Sequence, residues 1–332
     1  MVIANPIADR GQGGIGKVMW QVNLALLPGF AVLLYFYGAG YLQNLLVAVI
    51  AGIGIEALGL FLRGRDWQRT SLDGSVVLTC ALIALAAPPA ISSIALLTAV
   101  ATAVLLAKHA FGGLGRNLFN PAMVGYAVAV VSFPSAFAIW PIPTDGVTTA
   151  TALETLKSLD GLTYDELHQA NYGFGRYGGY GLEQAGIAFA LGGAYLVWKK
   201  LAAWRVSTAF LLTLGFCAVA GYDNGSSTTG GSPQQHLLSG GTLLAAFFVL
   251  TDPVTHPSRT SAQWWFGALA AVLTYAIRTV GAYPDGIAFA VLLANATSPV
   301  LDQLAASREG TRQRRQLAKH SKQPTDGGPN QS

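Results

Sequence analysis

The stretch Leu42-Gln43-Asn44-Leu45-Leu46-Val47-Ala48-Val49-Ile50-Ala51-Gly52-Ile53-Gly54-Ile55-Glu56-Ala57-Leu58-Gly59-Leu60-Phe61-Leu62 carries one charged side chain, Glu56. At 1.5 Å per residue a helix of this length crosses the ~30 Å hydrocarbon core of a bilayer. A basic connector with Arg63, Arg65 and Arg69 follows it, and residues 19–37 read the same way before it. The whole chain supports this reading. It has 332 residues, of which 11% are charged, and a mean hydropathy of +0.45. Soluble domains carry about 25% charged residues. The expected fold class is all-α, a polytopic integral membrane protein.

Working outward gives about ten membrane segments: 19–37, 42–62, 74–87, 91–106, 119–133, 182–198, 206–222, 237–251, 264–280 and 286–304. Two of them, 74–87 and 237–251, are short and end at prolines (Pro88-Pro89 and Asp252-Pro253). The expected organisation is an N-terminal cytoplasmic segment (1–17), a first membrane half (18–133) and a hydrophilic loop (134–181). A second membrane half (182–304) and a basic, disordered cytoplasmic tail (305–332) complete it. The polar start runs directly into a full-length span, so no cleavable signal peptide is expected.

Ten crossings put both termini on one side, and charge bias chooses the side. With the termini cytoplasmic, only Lys157, Arg176 and Arg278 of the 20 Lys and Arg residues fall on the other face. The loop at 134–181 is then periplasmic, and the protein belongs in a cell inner membrane.

The halves echo each other weakly. In each, a short apolar segment ended by proline is followed by a full span, a glycine-rich break and a further span. Such paired, interrupted segments point to a site between repeats, where broken helices expose backbone dipoles.

Ionisable groups inside or at the ends of apolar runs are costly and functional by default. Glu56, Asp252 and Asp285 are the candidates for an ion path. Each also has a plainer reading: Glu56 in helix packing, Asp252 as a cap, Asp285 as an interfacial partner of Arg278. Cys80 and Cys217 lie in apolar runs without a CxxC partner and read as small buried hydrophobes. His109, His236 and His256 are too dispersed for a metal or haem pair. No metal site, no catalytic residue of its own and no nucleic-acid partner is expected.

The hydrophilic loop contains Asp145-Gly146-Val147-Thr148-Thr149-Ala150-Thr151. This run resembles the flavinylation signal Asp-Gly-x-Ser/Thr-x-Ala-Thr. Three further stretches carry a family likeness: Gly112-Gly113-Leu114-Gly115-Arg116-Asn117-Leu118-Phe119-Asn120-Pro121-Ala122-Met123, Val249-Leu250-Thr251-Asp252-Pro253-Val254 with Leu238-Ser239-Gly240-Gly241 upstream, and the run from Tyr283-Pro284-Asp285-Gly286 to Asn295. Together, and in this order, they resemble the NqrB/RnfD family. Its RnfD (RsxD) branch belongs to the Rnf/Rsx ion-translocating electron transport complexes, and its NqrB branch to the sodium-pumping NADH:quinone reductases. The length and the absence of a long N-terminal extension fit the RnfD branch better. Where family members often have Pro-Leu after the threonine, this chain has Ala152-Leu153.

The resemblance implies that Thr151 carries FMN through a phosphoester, installed outside the cytoplasm by a flavin transferase using FAD, with Asp145 helping the transferase recognise the loop and Asp145 and Thr148 as further cofactor-binding candidates. It implies electron relay through this FMN within a redox-driven Na+ or H+ translocase in the lipid bilayer. The partners would be the A, B, C, E and G subunits of the Rnf/Rsx complex, which would hold the ferredoxin, NAD and iron–sulfur sites. Arg116 and Asn120, at a broken helix, are candidates for holding a second flavin such as riboflavin, or a phosphate, by charge-assisted bonds; a structural turn is the alternative. The rival expectations are the NqrB component of a Na+-translocating NADH:quinone reductase, with a quinone site, and a solute transporter with no flavin.

Overall fold

The computed structural model describes residues 12–64, 73–113, 115–138, 140–141, 148–149, 153–154, 163, 165–166, 169, 175–226, 230–283 and 285–320. Its helices are α1 (Gln12–Ala25), α2 (Leu27–Tyr37), α3 (Gly40–Leu62), α4 (Ser75–Ala86), α5 (Ser93–Ala101, continued as a π-helix over Thr102–His109) and α6 (Pro121–Ser132). The short α7 (Pro134–Ala138) and the strands β1 (Trp140–Pro141) and β2 (Thr148–Thr149) follow. The second half holds α8 (Leu182–Trp198), α9 (Trp204–Ala220), α10 (Pro233–Leu238), α11 (Thr242–Leu244, continued as a π-helix over Ala245–Val249), α12 (Thr260–Thr279) and α13 (Ile287–His320).

Each of the ten expected segments contains helix, and the protein is an all-α membrane protein. Three stretches, Gly16–Tyr37, Gly40–Leu62 and Ile287–Glu309, are long and apolar enough to cross a bilayer on their own. The other apolar helices are shorter. Helix α4 spans about 18 Å at 1.5 Å per residue, less than the ~30 Å core. It is buried around nearly its whole circumference, from Ser75 to Leu85. A helix that is apolar on every side belongs in the middle of a bundle.

The weak repeat is visible in the packing. Helix α1 packs on α4, α3 on α5, and α5 on α6; correspondingly α8 packs on α11, α9 on α12, and α12 on α13. The halves meet where α2 lies against α8 and α6 against α13. Small residues allow close approach of α8 to the first half: a Cβ on Gly29 of α2 would overlap the Phe189 ring, and one on Gly192 of α8 would overlap the Ala25 carbonyl at the end of α1. Close backbone approach at glycine is the usual way helices associate where lipid removes the hydrophobic driving force.

Backbone groups freed at the breaks find partners, as they must in lipid. Asn44 Nδ2 donates to the Pro88 carbonyl beyond the end of α4 at 3.0 Å. Ser207 Oγ donates to the Ala246 carbonyl in the second π-helix at 2.6 Å.

Three expectations are corrected. The segment expected over 237–251 is split: α10 ends at Leu238, and α11 starts only at Thr242, after Ser239-Gly240-Gly241. Gly240 there has φ +60°, which interrupts the helix. The last helix does not stop near Leu304. It continues to His320, so the first part of the tail read as disordered is helical. Pro299 sits inside it. The segment expected over 91–106 runs on to His109, and Lys108 and His109 at its end are buried. The π-helix that carries them adds a residue per turn and changes the face they occupy.

Candidate functional site

A cavity between the halves has a volume of about 320 Å³. This lies within the range of small-molecule sites. Aromatic side chains line it: Tyr126 from the first half, Phe137 and Trp140 from the start of the hydrophilic loop, and Phe189, Tyr283 and Phe289 from the second half. Tyr283 and Phe289 stack with ring centroids 4.6 Å apart, and Tyr126 meets Phe137 edge to face. The charged side chains in its wall are Glu154 and Asp285.

The cavity is joined to the hydrophilic loop at two points. Strand β1 pairs antiparallel with β2, so that Trp140, a wall residue, is opposite Thr149, and Pro141 is opposite Thr148. Leu153 and Glu154 return the chain to the same wall, and Leu153 is 5% exposed. Thr148 is thus in β2. Asp145 and Thr151 lie outside the described residues.

The two breaks of the second half, Ser239-Gly240-Gly241 and the turn at Asp285-Gly286, also line the cavity. Buried Arg278 ties them together. Its Nη1 donates to the His236 carbonyl at 2.8 Å, one Nη2 bond goes to Thr242 Oγ1 at 2.9 Å, and Nε donates to the Asp285 carbonyl at 3.0 Å. Nη2 also pairs with Asp285 Oδ1 at 2.5 Å. Asp285 Oδ2 accepts the Gly241 N–H at 3.2 Å. Asp285 is therefore the ion-pair partner of Arg278 and also part of the cavity wall.

The second cavity, about 70 Å³, lies between Lys108, Asn117, Asn120, Thr251 and Asp252, among others. It brings two candidates together. Asn120 caps α6: its Oδ1 accepts from the Ala122 and Met123 N–H groups at 3.0 and 3.3 Å. Its own N–H donates to Asn295 Oδ1 at 3.0 Å, which joins α6 to α13. Asp252 holds a turn, accepting from the Val254 N–H and from Thr255 Oγ1, both at 3.2 Å. Arg116 is exposed and lines neither cavity.

Glu56 belongs to a third cluster, 1% exposed at the side chain. Lys108 Nζ lies 2.9 Å from Oε1 and also donates to Ser75 Oγ at 2.8 Å. His109 Nε2 is 3.3 Å from Oε2, within ion-pair range but off the line of a hydrogen bond. Sequence reasoning paired Asp285 with Arg278 but missed the roles of Lys108 and His109 beside Glu56, and the bonds of Arg278 to His236 and Thr242. Glu56 and Lys108 are 52 residues apart, so no local spacing could pair them. The available signal was chemical: opposite charges within two apolar runs are best placed together.

Residues 2–310 match the model of the NQR2, RnfD, RnfE family. Three proteins, each named as the D subunit of an ion-translocating oxidoreductase complex, illustrate the similarity. That of Pseudomonas paraeruginosa is 41% identical over 329 residues, covering 93% of this chain and 96% of its own. That of Ectopseudomonas mendocina is 39% identical over 324 residues (92% and 94%). The Escherichia coli protein is 37% identical over 342 residues (92% and 97%).

Proposed function

The chain belongs to the NQR2, RnfD, RnfE family, and from that premise we propose that it is the D subunit of an ion-translocating oxidoreductase complex, relaying electrons through FMN held covalently at Thr151. It is a membrane component of a redox-driven translocase. Its partners are the A, B, C, E and G subunits of the complex and, during maturation, a flavin transferase. It lies in the inner membrane with both termini cytoplasmic and the Thr151 loop periplasmic, the arrangement favoured by the distribution of Lys and Arg.

One observation supports the flavin reading most. Thr149 is paired across from Trp140, Leu153 is buried in the same cavity wall, and Thr151 stands between them in the chain. A prosthetic group on that threonine would start from the rim of an aromatic cavity. The lining fits a flat heteroaromatic ring: several aromatic side chains, two carboxylates, and Ser239 Oγ buried in the wall without a hydrogen-bond partner among the described residues. FMN supplies the electron-transfer chemistry, and the protein supplies position, water exclusion and electrostatics. The phosphoester keeps the group at high effective concentration beside the cavity.

Ion movement, of Na+ or H+, is assigned to the polar groups buried between helices. Asp252 in the second cavity and Glu56 with Lys108 are the candidates in this chain, with Asp285 beside the flavin. The reading is tested on complex purified from cells that contain the transferase. This chain should give a fluorescent flavin band on a denaturing gel, and Thr151→Val should remove it. A band that persists in the variant would overturn the assignment.

A further inference from the structure

Of the two carboxylates in the wall of the aromatic cavity, Glu154 and Asp285, the second has a specific setting. Asp285 has a side chain 35% exposed, whereas that of Arg278 behind it is 1% exposed. The guanidinium is committed to protein: Nη1 to the His236 carbonyl, Nη2 to Thr242 Oγ1 and Asp285 Oδ1, Nε to the Asp285 carbonyl. The carboxylate is not. It accepts from Arg278 and from the Gly241 N–H, filling two of its roughly four lone-pair positions. The remaining acceptor capacity belongs to a wall residue of the cavity.

The backbone is shaped to this carboxylate. Gly240 has φ +60°, and a Cβ there would stand 2.8 Å from Asp285 Oδ1. On the other side Gly286 has φ +66°, and a Cβ there would press on the Ile277 side chain at 2.5 Å. Both positions favour glycine conformationally, and both are tight. A buried arginine, two left-handed glycines and a helix break all converge on one half-exposed carboxylate.

We propose that Asp285 accepts the imide N–H at the end of the flavin ring, and that Arg278 is the positioning residue that aims this carboxylate and balances its charge. This rests on the covalent-flavin reading above. An acceptor-only group facing an apolar cavity selects a ligand edge that donates, and the imide N–H of an isoalloxazine is such a donor. The pair also sets the field at the ring. Reduction adds negative charge to the flavin, which a neighbouring carboxylate opposes and an uncompensated guanidinium favours.

The test uses the whole purified complex. The signal of this flavin is isolated as the difference from the Thr151→Val complex, and its midpoint potential is measured by optical redox titration. Asp285→Asn should retain the fluorescent band and shift the potential to a more positive value. Asp285→Glu, which keeps the charge, should return it toward that of the unmodified complex. A retained band with an unchanged potential overturns the inference while leaving the covalent flavin in place. Equal shifts in the Asn and Glu variants also overturn it, because they would report a structural disturbance alone. If Asp285→Asn does not assemble, Arg278→Lys decides: loosening the pairing leaves the carboxylate less balanced and should shift the potential to a more negative value, and no shift or a positive one overturns the proposal. Absence of a band in the unmodified complex would instead overturn the flavin reading itself.

Discussion

Glu56 Oε1 and Lys108 Nζ lie 2.9 Å apart, with side chains 1% and 4% exposed, although 52 residues separate them in the chain. The pair ties α3 to the π-helical end of α5, and through Ser75 Oγ to the start of α4. Removing one partner leaves the other charge buried, which costs about 3–5 kcal/mol, whereas removing both costs much less. Glu56→Gln and Lys108→Met should each lower the thermal midpoint of the detergent-solubilised protein. The double variant should recover part of the loss. Additive losses in the double-mutant cycle would show that the two side chains do not interact.

Asn120 should be a structural cap before anything else. Asn120→Ala removes the acceptor for two N–H groups at the start of α6. The expected loss is about 1–2 kcal/mol. Asn120→Asp keeps the capping oxygen and should lose less. Thermal unfolding followed by circular dichroism measures both, and an equal loss in the two variants would remove the cap from the explanation.

Gly192 is packed so closely on α1 that its Cβ would overlap the Ala25 carbonyl. Overpacking typically costs about 1–3 kcal/mol. Gly192→Leu, with a bulkier side chain between two backbones, should reduce the amount of monodisperse protein on size-exclusion chromatography. Gly54, with nothing near its Cβ position, is the control, and Gly54→Leu should be recovered at normal yield.

The proposed sidedness is open to labelling. Glu166 is exposed in the 134–181 loop and Ser307 is exposed on α13. In a Cys217→Ala background, Glu166→Cys should react with a membrane-impermeant maleimide in intact cells with a permeabilised outer membrane. Ser307→Cys should react only after the inner membrane is opened. The reverse pattern would invert the topology.

Asp252 lines the small cavity with Lys108 and Asn120. If it serves the ion, Asp252→Asn should lower ion uptake into proteoliposomes at unchanged flavin content. Uptake equal to that of the unmodified complex would confine Asp252 to its turn with Val254 and Thr255.

The helices were legible because lipid imposes one simple rule on them, a long apolar run. The segment 182–198 coincides with Leu182–Trp198 because Gly181 and Lys199 bound it chemically. The prolines that end the short segments were legible for the same reason: they interrupt the hydrogen-bond ladder. Depth and partnership were not legible. Lys108 reads as a terminal charge because a π-helical stretch leaves no composition signal, yet that stretch turns the lysine inward. Asp285 and Arg278, 7 residues apart, are readable as a pair, but their grip on Ser239-Gly240-Gly241 spans about 40 residues and depends on tertiary packing. The aromatic cavity was invisible for the same reason. Its walls come from both halves, and no single segment announces it.

The enclosure of α4 has a consequence for how this protein is made. Ser75–Ala86 touches α1, α3, α5 and α6, two of which the ribosome synthesises after it. Twelve residues are too few to anchor themselves across a bilayer as they emerge. A helix this short is held in place by its neighbours and not by lipid, so its final position depends on two helices that are made after it.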